Sequence, residues 1–556
     1  MQDGHGDSAE ATLRDRVSNR FSALNRRDVI RAGVFGSAAL ALPLQRVVSA
    51  RSTLSGRLAS SKLPKPFTIP FAAPPVAQPY RSTGSGDFYK IRMQKINAEI
   101  IPGYQTPVYA YGFETPNSPY LGSVPGPTIR ARQGRRITVR YLNNLPPVHE
   151  TLGYQQWTSV HLHGAASLPQ FDGYASDVTR PGQYKDYIYE NLQHARTLWY
   201  HDHGVHHTAE NVYHGLLAMY LLSDADEQSL PLPKGDYDLP IVLGDAMFKS
   251  DGQLLFSLAD DSGMFGDVIT VNGRPWPVLK VKRRKYRFRI LNGCVSRSFK
   301  YSLDTGDLLT VIATDAGLMP APQQVKEIRH GNAERYEVVI DFAKYQPGKR
   351  VVLRNSSPKN NENFANTDRI MAFDVVADDF DPSNNSVPDV LSSDNECMDL
   401  QPEQATGQLT LRFKRQGGEW TINERTWEDV VRSEFQFVER SVNHGDVEIW
   451  TLRNDSGGWT HPAHTHLVDF KILDRNGKPP FAYERGPKDV VYLGENEVVR
   501  VLAKFDAGYG RYMIHCHNLV HEDHDMMTQF EVVGPDNRGD DPLGTPCKDQ
   551  PEADDL

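Results

Sequence analysis

Four pairs of histidines in His-x-His spacing constrain this chain more than any other feature of its sequence. The pairs are HLH at 161–163, HDH at 201–203, HTH at 464–466 and HCH at 515–517. Random placement of the 19 histidines among 556 residues would give fewer than one such pair. On a β-strand, residues i and i+2 share a face about 6.5 Å apart, which suits two neighbouring metal ions better than one. The alternative for any single pair is ordinary packing, but together the four pairs predict eight imidazoles around a cluster of metals.

A ten-residue strand pattern occurs three times. The segments GRRITVRYLN, RRKYRFRILN and GDVEIWTLRN each alternate with period 2 and end in an asparagine: Asn143, Asn292 and Asn454. These asparagines lie 149 and 162 residues apart, close to the length of one β-sandwich domain. The repeat predicts an all-β chain of three Greek-key β-sandwich or barrel domains in tandem.

Composition shifts place the limits of these domains. Polar segments without periodicity near 224–236 and 376–406 read as linkers. A Pro/Ser-rich connector precedes the first domain and should lie extended, because its prolines exclude a helix. An acidic tail follows the third and should be disordered. The resulting division is connector 51–80, first domain 81–225, second domain 226–380, third domain 395–536 and tail 537–556.

The first fifty residues are typical of a twin-arginine export signal. Arg26 and Arg27 precede an apolar run at 32–44 that is too short to span a bilayer, and Val48-Ser49-Ala50 resembles a cleavage site. The alternative is a buried N-terminal helix behind a basic turn. As a signal, residues 1–50 predict use of the twin-arginine export machinery and a periplasmic or extracellular protein. No other segment is long and apolar enough to cross a membrane.

Charge and cysteine content exclude some partners and limit the disulfides. The 61 Lys and Arg against 70 Asp and Glu leave a net charge of -9, so nucleic acid is not an expected partner. The four cysteines, Cys294, Cys397, Cys516 and Cys547, allow at most two bridges. If Cys516 binds a metal, at most one disulfide remains, and the sequence does not identify its pair.

The stretch MIHCHNLVHEDHDMM, 513–527, contains ligands for two separate sites. In a strand, His515 and His517 share one face and the Cys516 thiol lies on the other. On the side of Cys516 the next candidate ligands are His521 and Met526, with His461 available from HPAHTH. Cys, two His and a weak axial Met form the ligand set of a blue copper site. A structural zinc site is the alternative for HCH alone, but such a site is closed by four ligands from one compact unit.

The motifs HLHG, WYHDH, HPAHTH and HCHNLVHEDHDM resemble, in order, the four copper motifs of the multicopper oxidases. Within that family WTHPAHTHLVDFKIL and HCHNLVHEDHDMM are most similar to bilirubin oxidases and bacterial spore-coat laccases. The resemblance implies three cupredoxin-like domains and four copper ions per chain: one type 1, one type 2 and a type 3 pair.

The resemblance also implies a role for each ligand. The type 1 copper would be held by His461, Cys516, His521 and Met526. The type 2 copper would be held by His161 and His464. The type 3 pair would be held by His163, His201, His203, His466, His515 and His517. The first and third domains would share the cluster, and the second would act as spacer and pocket wall.

The mechanism that the resemblance implies begins with one-electron donation by substrate near an exposed imidazole edge of a type 1 ligand. Cys516 would pass electrons through its backbone to His515 and His517, and four electrons would reduce dioxygen to water. Proton supply requires a carboxylic acid near the cluster. Glu522 is the first candidate and Asp172 the second, although Asp-Gly is also an ordinary turn dipeptide.

Several neighbouring residues have no assigned role. Packing or surface exposure is the simpler interpretation for His206, His207 and His214, and His524 is expected to support a ligand rather than be one. Met527 could compete with Met526 for the axial position. Trp459 either packs beside the type 1 site or is a core aromatic.

The leading functional hypothesis is an exported, monomeric oxidase that uses dioxygen and a small aromatic or tetrapyrrole reductant, such as a phenol, an aromatic amine or bilirubin. A cuprous-ion oxidase for copper tolerance is the alternative. The resemblance implies a methionine-rich insert for that role, and here only Met526 and Met527 are close together. A copper-free structural or cell-division factor is a third reading, which the complete ligand set disfavours.

Overall fold

The computed structural model describes residues 56–149, 153–257, 260–377, 381–534, 543 and 547–550. The predicted export signal, 1–50, lies outside the described residues. Within them, no helix has both the length and the apolar character needed to cross a membrane.

The first domain is a sandwich of two sheets. Its strands are β1 (Arg81–Thr83), β2 (Gly86–Ala98), β3 (Thr106–Glu114), β4 (Pro119–Ser123), β5 (Ile129–Arg132), β6 (Ile137–Asn144), β7 (Val160–His163), β8 (Gln183–Tyr189), β9 (Arg196–Asp202) and β10 (Leu217–Ser223). One sheet has the order β8-β6-β2-β3-β4, with β1 paired to β2, and the other has the order β5-β10-β9-β7. The second sheet therefore places the strands that bear HLH and HDH next to each other.

The second domain repeats the two-sheet plan. Its strands are β11 (Asp238–Ala246), β12 (Val268–Val271), β13 (Arg274–Pro275), β14 (Val278–Val281), β15 (Lys285–Asn292), β16 (Phe299–Leu303), β17 (Leu309–Thr314), β18 (Gly317–Val325), β19 (Ile328–His330), β20 (Arg335–Asp341), β21 (Arg350–Asn355) and β22 (Arg369–Val375). The sheet orders are β13-β12-β11-β15-β20-β17-β18 and β14-β22-β21-β16-β19.

The third domain has two five-stranded sheets. Its strands are β23 (Gly407–Gln416), β24 (Glu419–Ile422), β25 (Ser441–Asn443), β26 (Val447–Asn454), β27 (His461–Thr465), β28 (Phe470–Arg475), β29 (Val490–Leu493), β30 (Val498–Lys504), β31 (Gly510–Cys516) and β32 (Met527–Val533). The orders are β24-β23-β26-β30-β28 and β25-β32-β31-β27-β29. The second of these sheets places HTH beside HCH.

The helices are short and lie in connections. They are α1 (Thr208–His214), α2 (Ala225–Ser229), α3 (Glu396–Asp399), α4 (Trp427–Arg432) and α5 (Leu519–Asp523). Single 3₁₀ turns occur at Ser60–Lys62, Pro169–Phe171, Gly235–Tyr237, Phe342–Lys344, Pro402–Gln404 and Ala482–Glu484. The Asp523 carboxylate at the end of α5 accepts hydrogen bonds from the amides of Thr208 and Ala209, so it caps α1 across the boundary between the first and third domains.

The three repeated segments form topologically equivalent strands. β6 pairs in parallel with β2 and antiparallel with β8. β15 has the same relation to β11 and β20, and β26 has it to β23 and β30. The prediction of an all-β fold with three copies of one domain is therefore confirmed. The residue limits given to the domains remain predictions.

The asparagine that ends each repeated strand makes the same hydrogen bonds three times. The Oδ1 atoms of Asn143, Asn292 and Asn454 each accept from the backbone amide two residues later, at 3.1, 3.1 and 3.0 Å. Their Nδ2 atoms each donate to two backbone carbonyls in later segments. A buried amide that satisfies three backbone groups explains why each strand ends at this residue type.

The segments outside the sandwiches lie across two domains. Apart from the turn at Ser60–Lys62, the described part of the connector, 56–80, runs extended as predicted, with isolated bridges from Arg57 and Pro70 to the second domain and from Val76 to the first. The expectation that the tail is disordered is wrong for its described residues: β33 (Lys548–Asp549) pairs antiparallel with β8, and Leu543 is buried. The four cysteines all lie among the described residues, and no disulfide joins any two of them.

We predict that Asn292→Ala lowers the apparent free energy of unfolding by about 1–3 kcal/mol, because three buried backbone groups lose their partner. The midpoint of denaturant unfolding measures this change. Asn443→Ala, at an exposed position of β25, is the matched control and should shift the midpoint little. Equal effects of the two substitutions would contradict the role assigned to the buried amide.

Candidate metal centres

The eight histidines of the four His-x-His pairs meet at the boundary between the first and third domains. β7 and β9 pair antiparallel with His161 opposite His201, and β27 and β31 pair antiparallel with His464 opposite His515. Every one of the eight side chains is at most 1% exposed. The strand pairing therefore produces the cluster that the sequence pattern predicts.

Imidazole rings from the two domains stack directly on one another. His161 stacks on His466 with ring centroids 3.9 Å apart, and His163 stacks on His464 at 3.7 Å. Each stack joins one residue of the first domain to one of the third. The site therefore exists only where the two domains touch.

The ligand roles predicted from the resemblance divide the eight rings into two trios and a pair. In the first trio the Nε2 atom of His515 lies 3.2 Å from Nε2 of both His203 and His466. In the second trio the ring centroids are 5.1 to 5.9 Å apart, and in the pair they are 5.8 Å apart. The second trio is His163, His201 and His517, and the pair is His161 and His464. Rings of different groups lie equally close, as with His161 and His163 at 5.5 Å, so the eight rings form one cluster and the assignment of six type 3 and two type 2 ligands stays a prediction.

Backbone and carboxylate oxygens fix which ring nitrogen carries the proton. Nδ1 of His201 donates to the carbonyl of Asp202 at 2.8 Å, and Nδ1 of His161 donates to the carbonyl of Asp172. Nδ1 of His464 donates to the carbonyl of Asp489, also at 2.8 Å. Since these oxygens only accept, Nε2 is left with a free lone pair, which is the form of imidazole that binds a metal.

Several of the remaining ring nitrogens lack a hydrogen-bond partner, as nitrogens that bind a metal ion would. Among the described residues, no hydrogen-bond partner exists for Nε2 of His161, His201 or His464, for Nδ1 of His163, or for either nitrogen of His517. Burial lowers the pKa of His201 to about 3 and that of His203 to about 4, so both rings are neutral. Unpaired, neutral and buried imidazole nitrogens in this number fit a cluster of metal ions.

Asp172 positions two of the rings. Its carboxylate accepts from Nδ1 of His466 at 2.7 Å, and its carbonyl accepts from His161. Gly173 makes this approach possible, because a Cβ there would lie 2.6 Å from the Cα of His161 and the residue has φ +77°. Burial raises the pKa of Asp172 well above its usual range.

Glu522 lies behind the first trio. One carboxylate oxygen is 2.9 Å from Nδ1 of His515 and the other is 3.5 Å from Nδ1 of His203. Burial alone would raise its pKa, but His515 and His203 outweigh burial and lower it to about 2. Both predicted acids therefore touch cluster imidazoles, and by direction of pKa shift Asp172 is the better holder of a proton. Their catalytic roles stay predictions.

A second site surrounds the Cys516 thiol in the core of the third domain. Its Sγ lies 3.3 Å from Nδ1 of His461 and 3.5 Å from Nδ1 of His521, and those two nitrogens are 3.2 Å apart. Met526 is fully buried in the same core, and its carbonyl accepts from the Cys516 amide while its amide donates to the His521 carbonyl. The structure therefore brings all four predicted residues of this site together.

The alternation in HCH separates the two sites as expected. Cys516 contacts His461 and His521, whereas His515 and His517 lie in the two histidine trios. Because His515 and His517 are the chain neighbours of Cys516, two short covalent paths join the thiol site to the histidine cluster.

The expectation of an exposed imidazole edge is wrong. His461 is 0% exposed and His521 1% exposed. Nε2 of His521 donates to the carbonyl of Ser262 at 3.1 Å, and the ring of Trp420 stacks on His521 with centroids 3.8 Å apart. One layer of protein thus lies between the ligand and any molecule outside.

Several residues at these sites carry no signal in the sequence. Trp420 lies in β24 and Asp489 lies directly before β29, and Asp202, the middle residue of HDH, has its pKa raised by burial to about 7. Conversely, His206, His214 and His524 donate through Nδ1 to backbone carbonyls and belong to none of the candidate ligand groups. Only a pattern that joins distant segments could have identified Asp489, Trp420 and Asp202.

Comparison with known proteins gives consistent matches along the chain. Family models described as multicopper oxidase match residues 111–227, 238–373 and 400–536. Bilirubin oxidase of Albifimbria verrucaria is 40% identical over 484 residues, covering 84% of this chain and 81% of that protein. Laccase of Bacillus subtilis is 31% identical over 526 residues, covering 84% and 99%.

A solved structure shares the fold. The multicopper oxidase McoA of Aquifex aeolicus has a TM-score of 0.72 at 28% identity, covering 83% of this chain and 100% of that one. Proteins of this family bind copper, typically four ions of types 1, 2 and 3, and the histidine clusters here fit that complement.

We predict that Glu522→Gln weakens copper retention at the first histidine trio about 10- to 100-fold, because the amide offers one acceptor oxygen where the carboxylate offers one each to His515 and His203. Copper per chain after dialysis against graded chelator measures retention. The control is Glu531→Gln on β32, which makes the same charge change at a carboxylate that pairs with Arg511. Copper retention by Glu522→Gln equal to that of this control would refute the prediction.

Proposed function

This chain belongs to the multicopper oxidases, and we propose that it oxidises phenols, aromatic amines or tetrapyrroles one electron at a time with dioxygen as acceptor. The observation that carries the proposal is the thiol site joined through His515 and His517 to the eight-histidine cluster. Similarity to a bilirubin oxidase and to bacterial laccases supports the choice of an aromatic reductant.

The surface outside the thiol site supports that choice. Trp420 stacks on His521, and Trp459, which is partly exposed, packs edge-on against Trp420 with centroids 5.7 Å apart. The Arg415 guanidinium lies 4.9 Å from the Trp420 ring and 6.0 Å from the Trp459 ring. Trp420 is itself 0% exposed, so an aromatic reductant would stack on the partly exposed Trp459 and Arg415, and electrons would cross the Trp420 layer to reach His521.

When bound, copper supplies the one-electron redox chemistry of both sites and the binding of dioxygen. The protein supplies geometry: Cys516 gives a covalent path from the thiol site to His515 and His517, and the buried rings hold the cluster away from the surface. We propose that Asp172 and Glu522 deliver protons there, since each carboxylate lies within hydrogen-bonding distance of a cluster imidazole.

The alternative function is oxidation of cuprous ion. Met526 and Met527 are 0% and 2% exposed, so this adjacent pair offers no thioether surface for an incoming ion. The copper-free structural role remains the third reading, and the presence of every predicted ligand residue, several with unpaired buried nitrogens, disfavours it.

Oxygen uptake by the copper-loaded protein tests the proposal, measured in parallel with bilirubin, a dimethoxyphenol, an aromatic amine and Cu(I). We expect uptake with the organic reductants to exceed uptake with Cu(I). Cys516→Ser should lose the visible copper–thiolate band and all uptake from these reductants while the cluster still binds copper. Faster uptake with Cu(I) than with every organic reductant would establish the alternative, and full activity of Cys516→Ser would overturn the assignment of electron uptake to the thiol site.

We also propose export by the twin-arginine route, supported by Arg26, Arg27 and the weakly apolar run that follows. Changing both arginines to lysine should leave uncleaved protein inside a bacterial host, measured by the fraction of chain in cytoplasmic and exported fractions. Arg14→Lys with Arg16→Lys is the matched control and should not alter export. Normal export of the Arg26/Arg27 variant would contradict the proposal.

A further inference from the structure

A fully buried arginine of the second domain, Arg335, bonds to all three domains. It lies at the start of β20 and is 0% exposed. Its Nε donates to the carbonyl of Thr197 in β9 at 2.9 Å, and Nη2 donates to the carbonyl of Asp315 at 2.9 Å. Nη1 and Nη2 each donate to one carboxylate oxygen of Asp489, directly before β29, at 2.7 and 2.5 Å.

Asp489 in turn contacts two of the candidate ligands. Its carbonyl accepts from Nδ1 of His464 at 2.8 Å, and its Oδ1 accepts from Nε2 of His163 at 3.3 Å. The second contact is the reverse of the arrangement at His464, where Nδ1 is the donor. His163 therefore carries its proton on Nε2, and its Nδ1 is the nitrogen with no hydrogen-bond partner among the described residues.

The guanidinium prevents rotation of the Asp489 carboxylate. A terminal carboxylate torsion is broad, so one contact would not fix the position of Oδ1. Two parallel N–H donors from Arg335 fix both oxygens at once, which a lysine ammonium cannot do. Arg335 is itself anchored, because its backbone amide donates to Oδ1 of Asp315 and the other Asp315 oxygen pairs with Lys488 at 2.9 Å.

The glycine of the HLHG motif reflects the same contact. A Cβ at Gly164 would lie 2.6 Å from Oδ2 of Asp489 and 2.7 Å from Nη2 of Arg335. The residue also has φ +84°, a conformation that disfavours a side chain. The end of β7, which carries His163, therefore packs directly on the Arg335–Asp489 pair.

We propose that Arg335 is a positioning residue of the histidine cluster: it orients Asp489, which holds His163 with its proton on Nε2 and leaves Nδ1 for a metal. The second domain thus contributes to ligand geometry as well as serving as spacer and pocket wall. The inference concerns the cluster and does not depend on which reductant the oxidase uses.

The competing explanation is an ordinary buried ion pair that joins domains. Such a pair would influence stability without changing the copper content of the folded protein. Arg475 provides the matched comparison, since it is 5% exposed and pairs through Nε and Nη2 with both oxygens of Glu484 but contacts no candidate ligand.

Copper-loaded Arg335→Lys, Asp489→Asn and Arg475→Lys are compared for copper per chain after dialysis against graded chelator. The visible copper–thiolate band reports folding of the third domain independently of the cluster, and oxygen uptake at saturating reductant reports turnover. We expect Arg335→Lys to retain the thiolate band and to hold cluster copper about 10- to 100-fold more weakly, with a matching fall in turnover. Asp489→Asn should behave the same way, and Arg475→Lys should retain wild-type copper content and turnover.

Three outcomes would overturn the proposal. Wild-type copper retention by Arg335→Lys would show that a single cation at this position suffices. Equal loss of copper in Arg335→Lys and Arg475→Lys would show a general effect of buried ion pairs. Loss of the thiolate band in both Arg335→Lys and Asp489→Asn would assign the pair to folding instead of ligand geometry.

Discussion

The structure depends on the burial of eight imidazoles between two domains. A buried polar nitrogen without a partner is unfavourable, and here several such nitrogens lie within one small volume. Metal coordination removes that cost, so the same contact that closes the first domain on the third also creates the binding site. The stacks of His161 on His466 and His163 on His464 are therefore both an interface and a ligand arrangement.

Oxygen atoms that accept hydrogen bonds from the rings determine which ring nitrogen is free to bind a metal. Carbonyls of Asp172, Asp202 and Asp489 hold protons on Nδ1 atoms, and the carboxylates of Asp172 and Glu522 hold two more rings. The pKa values of the two carboxylates shift in opposite directions, because burial dominates at Asp172 whereas His515 and His203 outweigh burial at Glu522. Ligand orientation and proton supply thus involve the same few groups.

The sequence predicted what depends on local pattern. Period-2 alternation identified β6, β15 and β26, and His-x-His spacing identified the histidines that cluster and their separation from the Cys516 site. It could not identify Arg335 or Asp489, because their role arises from a meeting of three domains and neither lies in a recognisable motif. Burial of His521 under Trp420 and Ser262 was missed for the same reason, and so was the pairing of β33 with the first domain.

The stacks between His161 and His466 and between His163 and His464 join segments about three hundred residues apart in the chain. Contacts of such sequence separation form late in folding, since each domain can acquire its own core first. During synthesis the first sandwich emerges long before the strand that bears Cys516. Acquisition of a complete copper set therefore marks the end of folding, and a metal-loaded chain is one in which all three domains have already docked.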